Sequence, residues 1–406
     1  MSNAHDRYES AGGKLVTPVT VFLAALVAIA GYFILVRFLY GIGAQTPFGA
    51  VTNLNDGYSW GIWVVYDVVI GTGLACGGYA LALLVYVFNK GEYHPLVRPA
   101  LLASVFGYTL GGMAVMVDLG RWWNFWHILW PGYANPNSVM FEVAVCIALY
   151  IHVLWFEFSP TMFERFGWKN AARRVNKIMW VLVALGCLFP MMHQSSLGSL
   201  LIVMGSKVDP RWHTILLPAL FLLSAISMGF AVVMFEATLS ADGFRRPRET
   251  PMLKKLAVVL AGVLAVYLAL RFGDLAWRGQ IPALFQGDFL ARMFWLEIAL
   301  FALPILLFSR DDWRESPRVL FAGSVSMLLA ASLYRVDGFL VAMTPNGDEF
   351  HYFPSVPELM VTIGMIAFEV LAYIVLARIL PVMHAHGTPH AAPKAVPHAA
   401  PMPAGD

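Results

Sequence analysis

The chain is poor in charge and in cysteine. Only 13% of its 406 residues are charged, 27 Lys and Arg against 25 Asp and Glu, while 59% are apolar. A soluble domain carries roughly 25% charged residues, so about half the coat that a water-facing surface needs is missing. A core able to hide that much apolar surface does not fit in this length, which leaves a polytopic membrane protein. A net charge of +2 excludes nucleic-acid binding through a basic surface. Cys76, Cys146 and Cys187 stand far apart in apolar segments. That spacing excludes an iron–sulfur cluster, a structural zinc motif and a disulfide framework in this chain.

Apolar runs are what the sequence has in quantity. At about 20 apolar residues per span, about ten spans are predicted, roughly 17–40, 60–88, 96–118, 138–159, 177–199, 213–239, 253–272, 289–309, 318–343 and 356–382. Met1 to Lys14 is polar and no small-residue cleavage site follows the first run, so the N-terminus reads as an uncleaved anchor. His384 to Asp406 is rich in Pro, Ala and His and is predicted to be disordered. Its His384, His386, His390 and His398 read as a solvated tail, and no metal site is predicted.

Lys and Arg set the orientation. One set of loops holds Lys90, Arg98, Arg165, Lys169, Arg173, Arg174, Lys177, Arg245, Arg246, Arg248, Lys254, Lys255, Arg310, Arg314 and Arg318; the opposite set holds only Arg121, Lys207, Arg211, Arg271, Arg278 and Arg335. The tails go with the richer set. Both termini are therefore expected in the cytoplasm, which requires an even number of spans. The outer loops are the aromatic ones, above all Gly120 to Trp130 with four Trp. These rings read first as an interfacial belt, with a docking or site-lining role as the alternative.

An ionisable group in the bilayer costs roughly 2.5–3.5 kcal/mol, so each needs a reason. Asp67 in span two, Asp118 closing span three with Arg121 just beyond, Glu142 in span four, and His193 with Gln194 in span five all fall in the outer part of the membrane. A shared level on four consecutive helices points to a site in a bundle core; ion pairs that only fix packing are the alternative. Tyr108, mid-span on the third helix, extends the group inward as a hydroxyl relay or is simply core. Gly71, Gly73, Gly77 and Gly78 lie inside an apolar helix with no preceding strand, so they indicate close helix contact and not a dinucleotide loop. A second group comprises Glu236, Arg271 with Asp274, Glu297 and Glu369. Arg271 and Asp274, three apart, are expected to pair; Glu297 and Glu369, with Glu236 nearer the cytoplasm, are candidates for a proton path. Haem is not expected, because His152 and His193 differ in depth by about 12 Å at helical rise, too far for one iron.

Several long stretches carry a resemblance: Asp56 to Trp63, Ile70 to Gly78, Tyr93 to Ala100, Asn137 to Glu142 and Met192 to Ser199. Through them the chain, over about residues 15–382, resembles the NrfD/polysulfide-reductase membrane-subunit family, among the membrane subunits of hydrogenase-2 type nickel–iron hydrogenases. The resemblance implies no haem, a quinone (menaquinone or another) taken at the outer face, and two four-helix bundles, spans two to five and six to nine, flanked by spans one and ten. The divisions are then a tail 1–16, a membrane domain 17–382 (first span and periplasmic loop 17–59, bundles 60–212 and 213–343, last span 344–382) and a tail 383–406. Tyr108, Glu142 and His193 fall in family segments associated with quinone chemistry and proton movement. Asp67, Asp118, Arg121, Gln194 and Trp60 are added as quinone contacts. The expected partners are a periplasmic ferredoxin-like iron–sulfur subunit and the hydrogenase small and large subunits, in the bacterial inner membrane. A sister oxidoreductase, or a proton or ion transporter without a redox role, is the alternative; no pair of interrupted helices of the transporter kind is evident in the sequence.

Overall fold

A computed structural model of the protein describes residues 8–347 and 349–385. Among these, ten helices are long and apolar enough to cross a bilayer: α1 Pro18–Tyr40, α2 Trp63–Val87, α3 Val97–Asp118, α4 Val139–Phe166, α5 Lys169–Met204, α6 Leu217–Gly243, α7 Thr250–Trp277, α8 Phe289–Phe308, α9 Pro317–Val341 and α10 Val356–Ile379. The chain is an all-α, multi-pass membrane protein, as its composition requires. Residues 1–7 of the polar N-terminal segment, and residues 386–406 of the tail predicted to be disordered, lie outside the described residues, and His386, His390 and His398 with them.

The helices start where local chemistry dictates. Thr17 caps α1 by accepting from Thr20 N, with Pro18 at the first helical position. Ser355 and Glu358 form a capping box on α10. Several helices outrun the apolar windows. The largest excess is in α5, which begins at Lys169 and not near 177, because Lys169, Arg173, Arg174 and Lys177 continue the helix beyond the apolar run.

Successive spans pack in order from α2 to α5 and from α6 to α9, with α9 closing back on α6 and α1 lying against α10. The most enclosed span is α2, with 78% of its apolar window buried, and it touches α3, α5, α6, α9 and α10. It is also interrupted. Wide π turns at Trp63–Ile70 and Leu83–Val87 flank two short α-helical pieces that meet at Ala75 and Cys76. A further π turn, Asp337–Val341, ends α9. Such turns frequently mark functional sites, and nothing in the apolar pattern of these spans announces them. Small residues let α2 be so crowded: a Cβ on Gly78 would sit 2.8 Å from Ser104 Oγ on α3.

Both described ends of the chain meet on one face. Tyr8–Glu9 pairs antiparallel with Met383–His384, Tyr8 opposite His384, so the tail predicted to begin its disorder at 383 instead starts with a paired strand. This side is termed the ribbon face, and the opposite side, with the long connections 41–62, 119–138 and 342–355, the loop face.

Candidate functional site

The most enclosed polar centre lies where α2, α3, α5, α6 and α9 converge. His193, Gln194, Thr72, Ser224, Tyr108 and Arg335 are all buried there. Arg335, on α9, donates from Nη2 to Gln194 Oε1 (3.1 Å), from Nη1 to Ser224 Oγ (3.2 Å) and from Nε to Val69 O (3.1 Å). Val69 lies in the first π turn of α2. Arg335 also lies 5.2 Å from the Phe221 ring centroid, and among the described residues no carboxylate pairs with it. Because Arg335 takes the oxygen of Gln194, the amide nitrogen faces Thr72 Oγ1 and His193 Nε2, each at 3.2 Å. His193 Nε2 is 3.0 Å from Thr72 Oγ1, which donates on to Val68 O. His193 Nδ1 is buried without a partner. The Tyr108 ring lies 5.9 Å from that of His193 and 4.5 Å from that of Tyr150, with its hydroxyl 3.6 Å from Cys76 Sγ. A buried imidazole with one nitrogen held and the other free is a proton donor or acceptor already oriented for one incoming atom.

A second cluster sits nearer the loop face, between α1, α2, α3 and α10. Thr362 donates to Asp67 Oδ2 at 3.4 Å. Glu358 accepts from Thr52 Oγ1, Asn53 N, Ser355 N and Tyr352 OH at 2.7–3.0 Å, tying two loops to α10. Burial and the negative Glu358 raise the Tyr352 phenol above its ordinary pKa, so it stays a donor. Arg37 of α1 is buried and caps α3 by donating to Val117 O and Leu119 O. Outside the spans, Arg211 joins Asp209 and Asp288 in two-pronged ion pairs that hold the Asp288 carboxyl down at about pKa 2.

The predicted single level of spans two to five divides in two. His193 lies eleven residues inside Met204, about 16 Å at 1.5 Å per residue, whereas Asp118 ends α3 and Glu142 is in the first turn of α4. The difference arises because α5 continues to Met204, past the end of its apolar window. The structure brings together His193, Gln194 and Tyr108. Asp67 and Asp118 belong to the loop-face cluster. Glu142 is half-buried, and among the described residues no hydrogen bond or ion pair reaches its carboxylate. Arg121 is exposed. Trp60 is half-buried beside Phe339, with its indole N–H buried and unbonded.

In the second half, the expected Arg271–Asp274 pair does not form. Asp274 takes Arg278 at 2.6 Å and Thr214 at 2.8 Å, while Arg271 turns inward to Glu297 at 3.2 Å, whose other oxygen accepts from Trp212 Nε1. Tyr334 and Phe294 cover the Arg271 guanidinium, and one turn on, both carboxylate oxygens of Asp337 are buried without partners. Toward the ribbon face, Glu236 Oε1 accepts from Tyr373 OH, and Glu369 lies against Gly107. Sequence reasoning misses Arg335, Thr72, Arg37 and Glu358 as parts of a site. Arg335 is visible as a cation at the end of an apolar run, yet by sequence it counts only among the few cations of the outer loops.

An all-α membrane protein, with ten candidate spans among the described residues and an enclosed polar centre at its most interrupted helix, is the class this architecture defines. The family model for polysulphide reductase, NrfD, matches residues 50–342, and the chain belongs to that family. It is 45% identical to the probable Ni/Fe-hydrogenase 2 b-type cytochrome subunit of Escherichia coli (strain K12), over 92% of this chain and 94% of that protein. It is 24% identical to the menaquinone reductase integral membrane subunit of Nitratidesulfovibrio vulgaris, over 82% and 85%. It is 22% identical to the Hdr-like menaquinol oxidoreductase integral membrane subunit of Archaeoglobus fulgidus, over 88% and 91%.

These comparisons correct the expectation that haem is absent. The Escherichia coli relative is named a b-type cytochrome subunit, a haem protein by that name. The depth argument behind the expectation also fails: His152 lies thirteen residues inside Val139, about 20 Å, within about 4 Å of the His193 level. His152 and His193 themselves do not face one another as an axial pair would. His152 is exposed with Nδ1 on Ala148 O, while His193 is enclosed by Tyr108, Thr72 and Gln194.

Proposed function

We infer that this chain is the quinone-reactive membrane subunit of a respiratory nickel–iron hydrogenase complex in a bacterial inner membrane. In this reading an iron–sulfur partner on the periplasmic side, joined to the hydrogenase small and large subunits, delivers electrons to menaquinone or another quinone, and protons are taken up from the cytoplasm. The observation that carries it is the unbonded Nδ1 of His193 in a sealed polar centre, in a chain 45% identical to a hydrogenase subunit. The menaquinone reductase relative supports the class of acceptor. Lys and Arg concentrate on the ribbon face, which supports placing that face and both termini in the cytoplasm.

A quinone, when bound, supplies two carbonyl oxygens that accept electrons and protons. His193 offers one of them a hydrogen-bond partner at Nδ1. Its other nitrogen is held between Thr72 and Gln194, so the ring cannot turn away. Arg335 fixes Gln194 and places a buried positive charge beside the centre, which favours developing negative charge there. Tyr108 and Glu142 are assigned to proton delivery, Trp60, Asp67, Asp118 and Arg121 to the approach from the loop face, and Glu236, Glu297 and Glu369 to the path through the membrane. Arg271, buried against Glu297, keeps that carboxylate compensated. The test compares hydrogen oxidation with a quinone and with a soluble dye as acceptor. His193→Gln should lose about 10²-fold or more of the quinone-linked rate with the dye-linked rate intact; an unchanged quinone-linked rate would refute the assignment.

A further inference from the structure

The start of α5, on the ribbon face, concentrates charge that the chain leaves uncompensated. Arg165, Lys169, Arg173, Arg174 and Lys177 fall close together in sequence and are all exposed. Among the described residues no hydrogen bond or ion pair reaches any of their charged groups. Several other cations of this face are paired: Arg98 with Glu164, Arg246 with Glu9, Arg248 with Asp242, Lys254 with Glu315 and Lys255 with Glu92. Glu164, the nearest carboxylate in sequence, is thus taken by Arg98, and α5 contains no Asp or Glu. Lys169, Arg173 and Lys177 recur every fourth residue, which stacks like charges on one side of the helix and destabilises it. That arrangement calls for an anion from outside the chain.

The same side of α5 changes character toward the bilayer. Trp180 follows, 76% exposed, and then the exposed Ala184 and Leu188. At the foot of the stripe Trp168 is exposed as well, its ring against those of Phe163 and Phe166 at 5.7 and 5.8 Å. Cations, interfacial rings and an apolar row succeed one another in the order of a phospholipid's own parts, from phosphate to acyl chain.

We propose that the first turns of α5, with the end of α4, hold the headgroup of an anionic phospholipid, whose acyl chain lies along Trp180, Ala184 and Leu188. About four to eight Lys or Arg beside a span form the pattern that anionic lipids bind. The apolar row favours a lipid over an acidic protein surface or a soluble phosphate, since neither needs exposed apolar residues running on from the cations. Cations that only orient the chain in the membrane need no such alignment and can be paired, as Arg248 and Lys254 are. The lipid site stands whatever acceptor the His193 centre serves.

For the test, the whole complex is stripped of lipid in dodecyl maltoside and offered equal amounts of dioleoylphosphatidylglycerol and dioleoylphosphatidylcholine. Native mass spectrometry then counts the lipid that stays bound. Wild type should retain the anionic lipid in about 10-fold excess or more. The triple variant Lys169→Gln, Arg173→Gln, Lys177→Gln should lose that excess, and its lipid-free melting temperature should not fall, because repulsion within α5 is removed. Lys254→Gln with Lys255→Gln, paired cations of the same face, should leave the excess unchanged. Brominated phosphatidylglycerol should quench tryptophan fluorescence more than brominated phosphatidylcholine, and Trp180→Phe should remove the difference. Equal retention of both lipids by wild type, or an excess that survives in the triple variant, would overturn the site. So would displacement of the lipid by millimolar inorganic phosphate but not by chloride of the same ionic strength, which would assign the cations to a soluble anion. An excess that appears only once the partner subunits are removed would assign them to an acidic partner surface and overturn it equally.

Discussion

Arg335 Nη2 and Gln194 Oε1 are 3.1 Å apart across 141 residues of sequence, and this bond joins the two halves of the membrane domain. The cation comes from α9 and the amide from α5, and between them they orient His193. A buried guanidinium satisfied only by neutral oxygens is costly to keep, so its place beside the polar centre marks that centre as the one the fold is arranged to hold.

Arg335→Met should therefore unfasten His193. Gln194 Oε1, Ser224 Oγ and Val69 O each lose a donor, at about 1–3 kcal/mol for each group left unsatisfied. The expected result is a lower melting temperature and a quinone-linked rate that collapses further than the dye-linked rate. Arg335→Lys, which keeps the charge but not the fork, should recover some stability while leaving the Gln194 orientation unfixed.

Glu142→Gln separates the first turn of α4 from the His193 centre. An unpaired carboxylate in an apolar helix is a functional group by default, so quinone-linked oxidation should fall about 10²-fold with dye-linked oxidation retained. Equal loss of both would indicate failed assembly, and no loss would confine the chemistry to His193 and Tyr108.

Glu358→Ala removes four hydrogen bonds at once, those from Thr52, Asn53, Tyr352 and Ser355. Bonds to a charged acceptor are worth about 1.5–3 kcal/mol each, so the loop-face cover should loosen. Faster proteolysis within residues 41–62 and 342–355, and a lower melting temperature, are the expected readouts.

Gly198→Ala tests the contact of α5 with the start of α6. A Cβ there would sit 2.4 Å from Leu217 O, a backbone atom that cannot rotate aside. Overpacking of this kind costs about 1–3 kcal/mol, to be read as a lower melting temperature of the detergent-solubilised complex.

Asp288 provides an acid titration. Its folded pKa of about 2 lies below the ordinary 3.8 because Arg211 holds the ionised form. A depressed carboxyl stabilises the fold above its unfolded pKa and loses that effect as pH falls through the folded value. Asp288→Asn should therefore melt below wild type at pH 7, with the gap closing between about pH 4 and pH 2.

The sequence alone determined the membrane class, the ten spans and the family, because each follows from local composition: apolar length is set by bilayer thickness, and long matched runs need no tertiary information. It also marked most of the ionisable residues, since any charge in an apolar run stands out. Only the tertiary structure decided which of them meet. Arg271 was expected on Asp274 and turns to Glu297, and His193 lies a helical turn or more deeper than its apolar window implied. Arg335 reaches His193, Gln194 and Thr72, which come from the other half of the chain. Depth along a helix is legible from residue counts, but the direction a side chain points, and the helix it faces, depend on how interrupted spans such as α2 pack, and that is fixed by contacts far apart in sequence.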